Sequence, residues 1–292
     1  IPCIFQGCDY MFERGIAYRY DGSLDGFLCC IFESYVRKEI PAMILSDQAP
    51  QGVLYPEKWI ETVPQQADRV FASLSRKISK EAERIIQTVF LTCLEDKEMH
   101  LYRFIRMGYQ YGAQVTNWLA DPTVHAIRQA MVHLQNEEQK IKGFLRFSEH
   151  QGVLISVIEP KNSVLPVIAD HFCSRYPEER FFIYDKAHRL GLWYEPYQAK
   201  FLEIDSFLPP ARGEEEKEIA SLWKQFVKTI AVEGRINPRC QMTMMPKRYW
   251  NHMLEHADQL TAKQRRAWEK TTAEFCDTRF QGKSRIMEEK RQ

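Results

Sequence analysis

The chain has 292 residues, 45% hydrophobic and 27% charged, with a formal net charge of +1. That is the composition of a soluble globular protein holding one large domain or two ordinary ones. A charge so near zero gives no global field toward nucleic acid or membrane, so any charged site must be local. No apolar run approaches the roughly 18 residues of a membrane span, and no membrane partner is expected.

The start, Ile1-Pro2-Cys3-Ile4, has neither the basic region nor the apolar core of a signal peptide, which points to the cytoplasm. It also lacks a Met, so the natural start is expected upstream. Residues 16–20 read as a strand and Asp21-Gly22 as a turn. Ser23 reads as the cap of a helix whose apolar face is Leu24, Phe27, Leu28, Ile31 and Tyr35, ending before Pro41. Asp21 and Asp25 flank that helix start. The helix dipole favours acids there, and acid–base or metal chemistry is the sharper alternative. Either way they argue against phosphate at that terminus.

Residues 44–64, with Pro50, Gly52, Pro56 and Pro64, read as a long connection. Ser79 then caps a helix with Ala82, Ile85, Ile86, Val89, Phe90 and Cys93 inward. A second helix carries Leu101, Phe104, Ile105 and Gly108. A third runs over 123–142 from Asp121-Pro122, with Val124, Ile127, Met131, Leu134 and Ile141 inward. His125 and His133 are too far apart for one ligand face and read as surface residues.

Residues 143–205 read as a ββαββ unit. One hairpin pairs 144–147 with 153–158, and another pairs 181–184 with 190–194. The helix between them has Leu165, Ile168, Ala169, Phe172 and Cys173 on one stripe. Ser163 is its cap, Pro166 lies in its first turn, and Tyr176-Pro177 ends it. Asp170 and His171, between helix and hairpin, are expected to line a working face with residues 237–250 and are a candidate acid and base. Residues 200–205 add a strand. Beyond a linker over 207–213, Glu214, Glu215, Glu216 and Glu218 open a helix with Ile219, Leu222, Trp223, Phe226, Val227 and Ile230 inward.

Residues 234–254 look the most functional. Arg235, Arg239, Lys247 and Arg248 are basic, no acid appears before Glu255, and Tyr249 and Trp250 adjoin the basic pair. Cations meet phosphate while aromatic faces stack on bases, so Arg235, Asn237, Arg239, Lys247, Arg248, Tyr249 and Trp250 form the candidate DNA-binding set. The competing reading packs Tyr249 and Trp250 in a core. His252-Met-Leu-Glu-His256 matches a short zinc-peptidase pattern that recurs easily by chance, and no metal site is assigned.

None of the eight cysteines (Cys3, Cys8, Cys29, Cys30, Cys93, Cys173, Cys240, Cys276) forms a C-x-x-C pair, so structural zinc and iron–sulfur sites are not expected. Cys3-x4-Cys8 is the one candidate pair. Reduced and mostly buried thiols fit a cytosolic protein. No phosphate-binding glycine loop or nucleophile elbow is present, and no cofactor is expected.

The expected fold is therefore α+β. It comprises a tail (1–15), a mainly helical region (16–142), the ββαββ unit (143–205) read as an antiparallel sheet, and a C-terminal helical region with the basic segment and a charged tail (206–292). These are expected to pack as one assembly.

A set of short matches adds to this reading. They are Tyr20-Asp-Gly-Ser-Leu-Asp-Gly-Phe-Leu, Phe32-Glu-Ser-Tyr35, Arg146-Phe, Ile158-Glu-Pro-Lys-Asn, Leu165-Pro, Ile168-Ala-Asp-His-Phe, Arg175-Tyr-Pro, Ile183-Tyr-Asp, Gly191-Leu-Trp-Tyr, Asn237-Pro-Arg and Met245-Pro-Lys-Arg-Tyr-Trp. Through them, over about residues 16–255, the chain resembles a bacterial family of DNA metabolism or DNA repair proteins. That family is a domain of unknown function, encoded beside a radical SAM protein and fused in some members to a uracil-DNA-glycosylase-like domain. The resemblance implies a pathway and not a reaction. This chain lacks the C-x-x-x-C-x-x-C triplet of a radical SAM cluster, so it would be the partner: a DNA-binding accessory of a repair or modification system. Two alternatives stay open. One is an enzyme on damaged or modified nucleobases, glycosylase- or nuclease-like, with Asp21, Asp25 or Asp170 as acid and His171 as base. The other is a protein–protein scaffold that never touches DNA.

Overall fold

The computed structural model describes residues 15–47, 52–209, 213–235 and 237–253. The chain divides into two compact units, Ile1–Gln135 and Asn136–Gln292. The α5 helix, Pro122–Phe144, begins in the first and ends in the second. The architecture is α+β, as the patterning predicts.

The first unit is built on β1 (Ala17–Tyr20), a strand whose Ala17, Tyr18 and Tyr20 are fully buried. From it Ser23 caps α1 (Leu24–Arg37) by accepting from Gly26 N, and Phe27, Leu28 and Ile31 pack inward as the spacing requires. Tyr35 stands half-exposed, edge-on to Tyr109. The stretch expected as a bare connection holds two short strands, β2 (Met43–Ser46) and β3 (Glu57–Trp59). Both pair parallel to β1, in the order β2-β1-β3. Four and three residues among prolines carry too little alternation to show locally. They are strands because a buried central strand has two edges to satisfy.

Helix α2 (Pro64–Lys77) was not anticipated, although Pro64 suits a first turn and Ala67, Val70 and Leu74 make its buried face. Helices α3 (Lys80–Phe90, capped by Ser79) and α4 (Lys97–Tyr111) bury the residues foreseen, except that α3 stops at Phe90, which is only partly buried. Cys93 therefore lies past the helix and is exposed. Cys29 and Cys30 are buried, Cys173 is half-buried and Cys240 is exposed, all as free thiols. Cys3, Cys8 and Cys276 lie outside the described residues.

The second unit holds a five-stranded sheet in chain order: β4 (Ser148–His150), β5 (Val153–Ile158), β6 (Phe181–Asp185), β7 (Leu190–Glu195) and β8 (Gln198–Glu203). The pair β5–β6 is parallel and the others antiparallel. The expected all-antiparallel pairing fails there because α6 (Leu165–Arg175) is a crossover, which returns the chain in its original direction.

The first hairpin also shifts. Residues 144–147 do not form its strand, since α5 runs to Phe144 and Leu145 N still reaches Ile141 O. Phe147 instead packs on Phe172, Tyr176 and Phe181. Gln151 and Gly152 turn the hairpin at φ 53 and 76, the left-handed pair of a tight two-residue turn. Ser163 is not the cap of α6. Val164 holds that position without a side-chain bond.

Beyond the sheet, α7 (Glu214–Ile230) starts on its glutamates as expected, but its predicted inward face is largely outward. Ile219, Leu222, Phe226 and Ile230 are exposed, and Ala220 is its one buried residue among those described. Helix α8 (Pro238–Met244) and a 3-10 helix, Lys247–His252, complete the described chain. No helix among the described residues is long and apolar enough to cross a membrane.

Candidate nucleic-acid interface

The basic segment is held in place by one carboxylate. Glu137, on α5, is buried with its headgroup surrounded by donors. Its Oε1 accepts from Lys161 N at 3.0 Å and from Arg248 at 3.1 Å, and its Oε2 accepts from Asn162 N at 2.8 Å and Asn162 Nδ2 at 2.6 Å. The Tyr249 hydroxyl also donates to Oε1, and Arg248 donates to that hydroxyl. Burial raises the carboxyl's pKa, but hydrogen bonds from Tyr249, Lys161 and Asn162 outweigh it and bring it below the usual range. Glu137 is thus a buried anion matched by a guanidinium and four neutral donors. The same burial, with Glu137 alongside, pushes the Tyr249 hydroxyl up, so it stays protonated and donating.

Around this hub Met245, Tyr249, Trp250 and Met253 form a small core with Phe144 and Met242, and Trp250 Nε1 donates to Met245 O at 3.0 Å. The seven candidate residues therefore separate. Tyr249 and Trp250 are packed, Arg248 is bound to Glu137, and Asn237 caps α8 by accepting from Cys240 N at 3.0 Å. Arg235, Arg239 and Lys247 remain exposed, Lys247 lying 5.8 Å over the Trp250 ring. Among the described residues no carboxylate pairs with these three.

A cavity of about 30 Å³ adjoins the hub, between the end of α5, strand β5 and the 3-10 helix. Ile141, Phe144, Ile158, Met245 and Met253 give it apolar walls, and Arg146, Ser156, Glu159, Tyr249 and His252 are its polar lining. Lys186 Nζ meets Glu159 Oε1 as an ion pair at 2.8 Å. His252 Nε2 lies 3.6 Å from the same oxygen, beyond hydrogen-bond reach. His252 Nε2 is thereby buried without a hydrogen bond among the described residues, while Glu159 Oε1 has Lys186 as its partner. His252 and Lys186 hold the Glu159 carboxyl at about 2 against the opposing effect of burial.

Sequence reasoning missed Glu137 and Glu159. Glu137 was visible as an acid on the inward stripe of α5 between Leu134 and Ile141. Glu159 was present in Ile158-Glu-Pro-Lys-Asn but carried no role. For the histidine motif, His252 sits at this cavity, while Glu255 and His256 lie outside the described residues. Among the described residues no group of three His, Cys, Asp or Glu could hold a metal ion.

The acid candidates fall elsewhere. Asp21 sits at the carboxyl end of β1, where the strand order turns to both sides. Its Oδ1 accepts from Ser23 N at 2.9 Å and Ser23 Oγ at 2.7 Å, and its Oδ2 accepts from Thr62 Oγ1 at 2.8 Å. Burial raises its pKa, and the Ser23 and Thr62 bonds more than offset that, leaving it lowered. The carboxylate is occupied in tying the β1–α1 loop to the chain after β3. A Cβ at Gly26 would come within 2.3 Å of Asp21 Oδ1 and 2.8 Å of Thr62 Oγ1. Gly26→Ala should therefore destabilise by about 1–2 kcal/mol in a urea melt, despite alanine's better helix propensity. A gain in stability would show that the loop yields. Asp25 and Asp170 are exposed, and His171 is half-buried with its ring edge-on to Phe172 at 5.0 Å. Neither Asp170 nor His171 lines the cavity.

Fold and site together define an α+β chain whose basic C-terminal segment is clamped by a buried carboxylate beside a small cavity. Residues 95–255 match the family described as a domain of unknown function (DUF4130), and the chain belongs to that family. No curated protein sequence matches it. Among solved structures, a pGpG-specific phosphodiesterase, PggH from Vibrio cholrae, is similar at 8% identity over 61% of this chain and 81% of that one. The TM-score is 0.31, a likeness too slight to carry an argument.

Proposed function

We propose that this chain is a DNA-binding accessory protein of DNA metabolism or repair, acting beside a radical SAM protein and related through its family to uracil-DNA-glycosylase-like domains. The observation that supports it is the pairing of three exposed cations, Arg235, Arg239 and Lys247, with a segment fixed by Glu137. Cations held on an ordered support lose less freedom when they meet phosphate than cations on a loose tail. Arg248 belongs to the clamp, so its loss registers first in stability.

Fluorescence anisotropy against labelled single-stranded, duplex and lesion-bearing DNA over a salt series tests this. Lys247→Ala and Arg239→Ala should each weaken binding and flatten the log–log salt slope by about 0.9 on duplex and about 0.7 on single strands. Absence of binding to every DNA form, with and without the radical SAM partner, overturns the reading. Capture of that partner without any DNA retention would make the chain a scaffold.

A further inference from the structure

We infer that the cavity beside Glu137 receives the amino-bearing edge of an unstacked nucleobase, with Glu159 as its acceptor and His252 as a second polar contact. The inference rests on the nucleic-acid reading for the kind of ligand, and on the cavity for its chemistry. Glu159 Oε1 and His252 Nε2 are buried and line one space 3.6 Å apart; Lys186 Nζ meets the Glu159 oxygen at 2.8 Å, while His252 Nε2 lacks a hydrogen bond among the described residues. The unpartnered His252 Nε2 costs about 1–3 kcal/mol, which a ligand supplying its partner recovers, and the Glu159 carboxylate keeps lone pairs beyond the one that faces Lys186. Glu159 is ionised at neutral pH, so it accepts and cannot donate. Lys186 already balances its charge and Arg146 lines the same cavity, so the favoured partner is a neutral N–H and not a further cation.

An exocyclic amino group of cytosine, adenine or guanine fits that demand. The edge of thymine presents two carbonyls flanking its one N–H, and those would face the carboxylate. The apolar walls suit the body of a ring. As it stands, the cavity of about 30 Å³ has room for about two waters, so a base enters by displacing side chains. Met245 and Met253 form much of the wall, and methionine's unbranched side chain repacks readily. The 3-10 helix that bears His252 also bears Lys247, so one element would deliver both a base contact and a phosphate contact. Only an unstacked base can present its edge this way, so the substrate class is single-stranded or locally opened DNA.

The test uses the full chain with methyl-labelled methionine, observed by NMR during titration with dCMP and, separately, dTMP. dCMP should shift the Met245 and Met253 methyl signals in a saturable way, and dTMP should do so at least about tenfold more weakly, the worth of one charge-assisted hydrogen bond. Glu159→Gln should erase the difference. Equal response to both nucleotides, no response to either, or a preference that survives Glu159→Gln overturns the proposal, and the wild-type arm needs no variant to fold. The two readings also separate in the oligonucleotide arm. If oligo-dC and oligo-dT bind equally through Lys247 and Arg239, the base pocket is wrong and DNA binding stands. If dCMP occupies the cavity while no DNA binds, the reverse holds.

Discussion

Glu137→Ala should lower the unfolding free energy by about 3–5 kcal/mol, because it removes a buried acceptor shared by several donors and each donor left unmatched costs about 1–3 kcal/mol, while the Arg248 side chain, 40% exposed, can turn to water. The change deletes one acceptor group, strands the Lys161 and Asn162 amides, the Asn162 side chain and the Tyr249 hydroxyl, and releases the Arg248 guanidinium. Glu137→Gln keeps one acceptor oxygen but turns an amide NH₂ toward donors, so it should fall between Ala and wild type. Tyr249→Phe removes one donor of several and should cost only about 1 kcal/mol. Urea melts followed by tryptophan fluorescence give these values. Combining Glu137→Ala with Tyr249→Phe should show coupling of about 0.5–3 kcal/mol, because the two groups share one bond. A loss below about 1 kcal/mol for Glu137→Ala would mean that the C-terminal segment does not depend on this carboxylate. Weaker DNA binding by Glu137→Ala, with Lys247 and Arg239 intact, would further tie the clamp to their presentation.

What the chain displays in its sequence follows how local each feature is. Helices α3, α4, α5 and α6 were legible because their stripes repeat over three or more turns, and Ser23, Ser79 and Asp121 announce starts with side chains that bond within three residues. The hairpin of β6 and β7 was legible for the same reason. Strands β2 and β3 were not, since short strands become strands by pairing with a distant partner. The helix-to-strand boundary at Phe144 was misplaced because Phe-Leu-Arg-Phe suits either state, and tertiary packing of Phe147 decides it.

The site was legible only in composition. The basic and aromatic residues of 234–254 were found, but which of them point outward depends on Glu137, more than 100 residues earlier in the chain. Nothing in the order of residues reveals that Arg248 and Tyr249 are claimed by it. The apolar stripe of α7 shows the opposite failure: periodicity marks a face, and only the fold says whether anything lies against it.

The second large effect should appear on acidification. Glu159 has its carboxyl held at about 2 in the folded chain, against an ordinary value of 4.5, with His252 the first cause and Lys186 the next. A carboxyl depressed by folding binds its proton more readily in the unfolded chain. Its stabilisation is therefore complete above about pH 4.5 and is lost as the pH falls toward 2. The difference corresponds to roughly 1–2 kcal/mol, since each pKa unit is worth about 1.36 kcal/mol, His252 acts across 3.6 Å with no hydrogen bond, and partial exposure trims the total. Glu137 is shifted in the same direction and steepens the fall. Urea midpoints taken between pH 5 and pH 2 should thus drop sharply in the wild type. Glu159→Gln should start lower at neutral pH and fall less steeply through the same window, because a neutral amide has no proton to gain. Lys186→Met should shift the whole fall to higher pH by weakening one of the two causes. If Glu159→Gln and wild type lose stability in parallel across that range, the carboxylate is not held down by its neighbours, and its role as the ionised acceptor of the cavity fails with it.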